Sequence, residues 1–182
     1  MTTAQLLLLL LGFQAYSGDT ESPTEREARM TLIADAITDA SEHATCTGAY
    51  ATDTECKVQW TAGVKELQAL LTVIGYRETR FSQHVHEGKC KANTGECDGG
   101  KARSPWQLHM TGFTPRDTWQ KINEATKEST DLAAWSAAQI LSYSYQHCRS
   151  IEGAISLYAT GSNCTWSGAK YRKAFYDELM AK

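Results

Sequence analysis

The sequence carries no long block of like charge. Its formal net charge is −3, with both signs interspersed, so neither a basic nucleic-acid arm nor an acidic tail is expected. It has no C-x-x-C pair, which removes the commonest zinc-finger spacing. No segment alternates apolar and polar residues well enough to be a strand. There is no internal repeat. The single apolar run, Leu6 to Leu11 extended by Gly12 and Phe13, is too short to span a bilayer as a stable helix. It also lacks the basic start of a typical export signal, since Met-Thr-Thr-Ala-Gln brings only the terminal amine.

What is present points to one α-rich domain. At 182 residues the chain is long enough to bury a core of its own. The six cysteines fall in local pairs: Cys46 with Cys56, Cys90 with Cys97, and Cys148 with Cys164. An even count at short intervals suits disulfides in an oxidising compartment. A competing reading writes His84, His86, Cys90 and Cys97 as a zinc site. Ala15-Tyr16-Ser17 has the small-x-small pattern of a signal-peptidase site. Residues 1–17 are therefore expected to be a signal peptide, with 18–182 the single domain. The alternative is that the leucine run is an apolar helix of that domain.

Local signals place the helices. Ser22-Pro23-Thr24-Glu25 is an N-cap, a proline at N1 and a capping-box glutamate. It opens a helix to about His43 that buries Leu32, Ile33, Ala36, Ile37 and Ala40. Residues 44–56 are expected to form a loop closed by Cys46 and Cys56. Residues 82–103 lose all periodicity, and a segment of that length inside a compact domain is usually functional or disordered. Arg103-Ser-Pro-Trp-Gln-Leu-His109 follows as an apolar island, with a small hairpin the most sheet structure expected. Thr114-Pro115 starts a short helix carrying Trp119 and Ile122. A helix over Asp131–Cys148 turns Leu132, Trp135, Ala138 and Leu141 or Ser142 to one face. Ser150 caps a helix over 151–160 that Gly161 ends. Ser167 caps the last helix, with Tyr171, Phe175, Glu178 and Leu179 inward.

The stretch from Trp60 to Phe81 holds the strongest anomaly. Trp60, Val64, Leu67, Leu71 and Ile74 mark one helical face. The next position on that seam is Glu78, about 20° from Leu71 on an ideal helix. A carboxyl at the edge of an apolar seam is poorly solvated, which suits a general acid. The alternative is a glutamate just past the helix end, facing water.

Three segments now fall in order: Ile74-Gly-Tyr-Arg-Glu78-Thr-Arg-Phe81, Ala102-Arg-Ser-Pro-Trp-Gln107-Leu, and Ala154-Ile-Ser-Leu-Tyr158-Ala-Thr-Gly161. Together they resemble the lysozyme-like superfamily of soluble lytic transglycosylases and goose-type lysozymes, over roughly residues 64–165. The resemblance implies a mainly α, lysozyme-like fold stapled by disulfides. It implies that Glu78 is the catalytic acid, that Gln107 contacts substrate, and that the Tyr158 hydroxyl approaches Glu78. Thr79, Ser104 and Ala159 depart from the family's serine, glycine and asparagine, so the roles of the last two are not carried over. The implied activity is cleavage of the β-1,4 bond between muramic acid and N-acetylglucosamine in peptidoglycan, of the transglycosylase type, with no cofactor.

Trp106, Trp119 and Tyr76 offer apolar ring faces to sugars, with plain core packing the alternative for each, and Trp106 is the one taken as a substrate contact. A hydrolytic muramidase would need a second carboxylate. Glu87, Glu96 and Asp98 are the candidates, and Asp98, beside Gly99-Gly100, is preferred; the alternative for all three is a solvated loop charge. His84, His86 and His109 are expected at the surface or in loops, with no role. The expected partner is the peptidoglycan glycan strand, met by a monomer that is secreted, periplasmic or virion-associated. Rival classes are a non-catalytic glycan-binding domain and the zinc-binding domain.

Overall fold

The computed structural model describes residues 1–48 and 55–182. Among the described residues there is no strand, and the one bridge joins Arg103 to Leu108 in antiparallel sense. The helices are α1 (Thr3–Leu11), α2 (Pro23–His43), α3 (Val64–Thr79), α4 (Gln83–His86), α5 (Cys97–Gly100), α6 (Arg116–Lys121), α7 (Lys127–Cys148), α8 (Ile151–Thr160) and α9 (Ala169–Met180). Cys46–Cys56, Cys90–Cys97 and Cys148–Cys164 are all bonded. Part of the loop expected over 44–56 lies outside the described residues.

α3 is the central helix. Its residues Leu67 to Gly75 are all buried, so it is enclosed on every side rather than along one stripe. α2, α7 and α9 pack around it. α2 and α7 cross closely because both present alanines, Ala36 and Ala40 from one and Ala133, Ala134 and Ala137 from the other, all buried. α8 fills the space between α7 and α9. Trp60 belongs to the core but not to the helix. Gly63 takes φ +113, a conformation open to glycine, and its carbonyl accepts from the Trp60 indole at 2.6 Å. The helix starts after that turn.

α1 packs on α2. Leu6 and Leu10 are fully buried, and the Met1 ammonium donates to Gln68 Oε1 of α3 at 2.8 Å. No helix among the described residues is long and apolar enough to cross a membrane.

Three expectations change. α9 buries Ala169, Tyr176 and Leu179, while Tyr171 is exposed. Leu179 is inward as expected and Phe175 is partly buried against the core, but Tyr171 and Glu178 face out and Tyr176 goes in, with Gly168 rather than Ser167 at the N-cap. In α7 the alanines and serines face the core, and Leu132 and Trp135 are only partly buried at its edge. α7 also starts earlier, with the Thr126 side chain capping Ser129. Finally, His86 is buried rather than at the surface. Its Nε2 pairs with the Thr130 hydroxyl at 2.8 Å.

Candidate active site

Glu78 lies in the last turn of α3, and the way that helix stops explains its setting. Arg80 and Phe81 both turn left-handed, at φ +53 and +51. The Arg80 amide closes on the Tyr76 carbonyl at 2.8 Å. The reversal drives the Phe81 ring back onto Gly75, where a Cβ would meet it. Phe81 stands edge-on to Trp106, with centroids 6.4 Å apart. Glu78 is thereby held at the rim of a packed corner, its side chain 22 % exposed.

The second segment is a tight reversal docked on that corner. Arg103 and Leu108 exchange two backbone hydrogen bonds, at 3.0 and 2.7 Å. Ser104 and Gln107 both adopt positive φ. The Thr79 hydroxyl lies 3.0 Å from the Pro105 carbonyl and 3.1 Å from that of Gly75. The reversal projects Gln107, whose amide nitrogen donates to the Ser104 carbonyl at 3.2 Å. The third segment meets the same reversal: the Tyr158 hydroxyl of α8 donates to the Trp106 carbonyl at 2.8 Å.

Gln107 lines two cavities. One, about 370 Å³, is shared with Glu78, Thr79, Tyr16, His84 and Glu96. The other, about 450 Å³, is shared with Tyr158, Leu157, Tyr143, Ile140 and Phe113. Gln107 is common to both, so Glu78 and Tyr158, from distant segments, each share a cavity with Gln107 but not with each other. A larger cavity of about 720 Å³ lies between α2 and α7 and contains none of them.

The charges differ from expectation in one respect. Glu78 Oε1 accepts a hydrogen bond from Arg172 Nη1 of α9, and the Tyr158 proton goes to the Trp106 carbonyl rather than to Glu78. The Arg172 guanidinium also sits 5.3 Å from the Trp166 ring centre. Burial, and then the Glu78 charge, push the Tyr158 phenol well above its ordinary range, with Arg172 opposing. Tyr158 is thus a fixed neutral donor.

Burial corrects one expected role, and bonding removes the competing zinc reading. Trp106 is wholly buried, with its indole N–H on the Leu71 carbonyl at 3.0 Å. It is core, and no ring face is open to a sugar. The zinc reading fails because the Cys90 and Cys97 sulfurs are bonded to each other and His86 is committed to Thr130. No group of three residues able to hold a metal occurs among the described residues.

The three candidate carboxylates separate cleanly. Asp98 is 70 % exposed, bonds His109 Nε2 at 2.9 Å and lines neither cavity. Glu87 is tied to Lys89 at 2.6 Å and Gln83 at 2.9 Å, which hold its carboxyl below the usual range, Lys89 first. Glu96 does line the Glu78 cavity. It accepts from the Lys91 amide at 2.8 Å, and His84 Nε2 is 3.8 Å away.

Sequence reasoning missed Arg172, Tyr16, Tyr143 and Phe113. Arg172 had a signal. It falls three after buried Ala169 and four before buried Tyr176, so it is a charge on an apolar seam, as Glu78 is. Comparison with known proteins finds no matching family model, no matching curated protein and no matching solved structure.

Proposed function

We propose that this protein is a peptidoglycan-cleaving enzyme that uses Glu78 to break the bond between muramic acid and N-acetylglucosamine, in the manner of a lytic transglycosylase. The observation that carries this reading is the placement of Glu78 and Gln107 on one cavity, with Tyr158 bracing the turn between them. Glu78, having taken a proton from solvent on the oxygen that Arg172 does not hold, donates it to the glycosidic oxygen as the bond to muramic C1 breaks. Its carboxylate then takes the proton of the muramic 6-hydroxyl while O6 bonds C1. The products are a free 4-hydroxyl and a 1,6-anhydro end, and no water is consumed. Gln107 Oε1 can accept from a sugar N-acetyl N–H or hydroxyl, while its side-chain nitrogen is held by the Ser104 carbonyl and Cys97 Sγ. The three disulfides fit an enzyme working outside the reducing cytosol.

A second reading, hydrolysis, is favoured by Glu96 rather than Asp98, since Glu96 alone of the three loop carboxylates faces the Glu78 cavity. Digestion of purified peptidoglycan followed by mass spectrometry of the fragments separates the two. Anhydro ends from wild type and from Glu96→Gln, with none from Glu78→Gln, are expected. Reducing ends that vanish in Glu96→Gln would establish the hydrolase. No fragments from wild type, or full activity in Glu78→Gln, would overturn both.

A further inference from the structure

The segment 13–21 crosses the end of α3 and is pinned on both sides of Tyr16. On one side the Phe13 ring packs on Tyr76 and Phe175, at 4.5 and 5.7 Å between centroids. Its carbonyl accepts from Arg26 Nη2 at 2.9 Å. On the other side Asp19 Oδ1 accepts from the Gln83 amide at 2.8 Å. Asp19 and Glu21 both pair with Arg29, and all three side chains are nearly buried. Arg29 Nη1 in turn donates to the Phe81 carbonyl, in the turn that ends the Glu78 helix.

A buried ion cluster is weak evidence for stability, because its desolvation cost offsets its attraction. What it does here is fix a short peptide against one turn. The peptide it fixes carries one aromatic ring. Asp19 N–H donates to the Tyr16 carbonyl at 3.0 Å, closing a turn over Gly18. The Tyr16 ring lies on that glycine so closely that a Cβ there would sit 2.6 Å from Cε1. His84 flanks the ring at 5.3 Å. The ring is only partly buried, and it lines the cavity of Glu78 and Gln107.

We propose that Tyr16 is a substrate-contacting residue, stacking its ring on the apolar face of an N-acetyl sugar bound beside Glu78. This rests on the reading of the site as glycan-cleaving. Aromatic rings give large, stiff contact area at low entropic cost, and a sugar's C–H face is a matching surface. An enzyme lacking residues 1–17 would have no such ring.

The test compares wild type, Tyr16→Ala and Tyr16→Phe on soluble peptidoglycan strands, with melting temperature measured for each. Tyr16→Ala is expected to raise KM about tenfold with kcat within about twofold and an unchanged Tm, and Tyr16→Phe to restore KM. In a Glu78→Gln background, calorimetry should show tri-N-acetylchitotriose binding about tenfold more weakly once Tyr16 is alanine. An unchanged KM in Tyr16→Ala beside an active wild type overturns this proposal alone. So does a Tyr16→Phe as impaired as Tyr16→Ala, or an active enzyme whose sequenced N-terminus begins after Tyr16. A wild type that neither binds nor cuts glycan overturns the glycan reading and this proposal together.

Discussion

Arg172 is the residue that most changes the picture of Glu78. A carboxyl held by a guanidinium through one oxygen, Oε1, is oriented, and its other oxygen is the one turned to a glycosidic oxygen. Orientation at this level matters, since a misplacement of about 1 Å can cost on the order of a hundredfold in rate. Arg172→Met is expected to lower kcat by about that factor, with Arg172→Lys recovering part of it. Steady-state kinetics on soluble glycan strands checks this, and equal losses in the two variants would mean the charge is not what positions Glu78. The carboxyl itself was legible in the sequence because it broke an apolar seam. Its partner was not found because the inner face of α9 was assigned to Tyr171 and Glu178 rather than Tyr176. The choice between core and sugar contact for Trp106 was open for another reason. A tryptophan in a short apolar island carries no periodicity to say which way it points, and only the packing of Phe81 decides it.

Among the elements, α2 and α8 match their expected limits because their signals are local. Ser22 and Glu25 close a reciprocal capping box, and Ser150 and Gly161 bracket ten residues. The 82–103 segment could not be read this way. Which of its carboxylates faces the cavity is decided by left-handed turns at Cys97, Asp98 and Gly99. These swing Asp98 outward and leave Glu96 at the rim. The Cys90–Cys97 bond holds that arrangement, and Cys97 Sγ also lies 3.4 Å from the Gln107 amide. Closing so short a loop contributes about 2.5 kcal/mol at most on chain-entropy grounds, and much of that is local. A Cys90→Ser, Cys97→Ser double variant should therefore still fold, shown by urea denaturation. Its glycan cleavage should fall by about tenfold or more. Full activity in a folded double variant would detach the loop from the site.

For the molecule as a whole, His86 links stability to pH. Burial first, and then the nearby Arg29 charge, lower its pKa from 6.5 to about 4, with Glu87 opposing. The folded pKa is depressed, so the unfolded chain binds the proton more readily between those values. Stability is then full above about pH 6.5 and falls as pH drops toward 4, by on the order of 3 kcal/mol from this group. Thermal melts across that range should show the loss. His86→Gln, able to keep a bond to Thr130, should flatten the slope, and an unflattened slope would assign the acid sensitivity elsewhere.

The Glu78–Arg172 contact joins residues 94 apart. The ribosome delivers the glutamate 94 residues before the guanidinium. Until α9 emerges and docks, the carboxyl stands without its partner. On the wall-cutting reading proposed above, a copy that stops short of α9 is then poorly armed toward the cell that makes it.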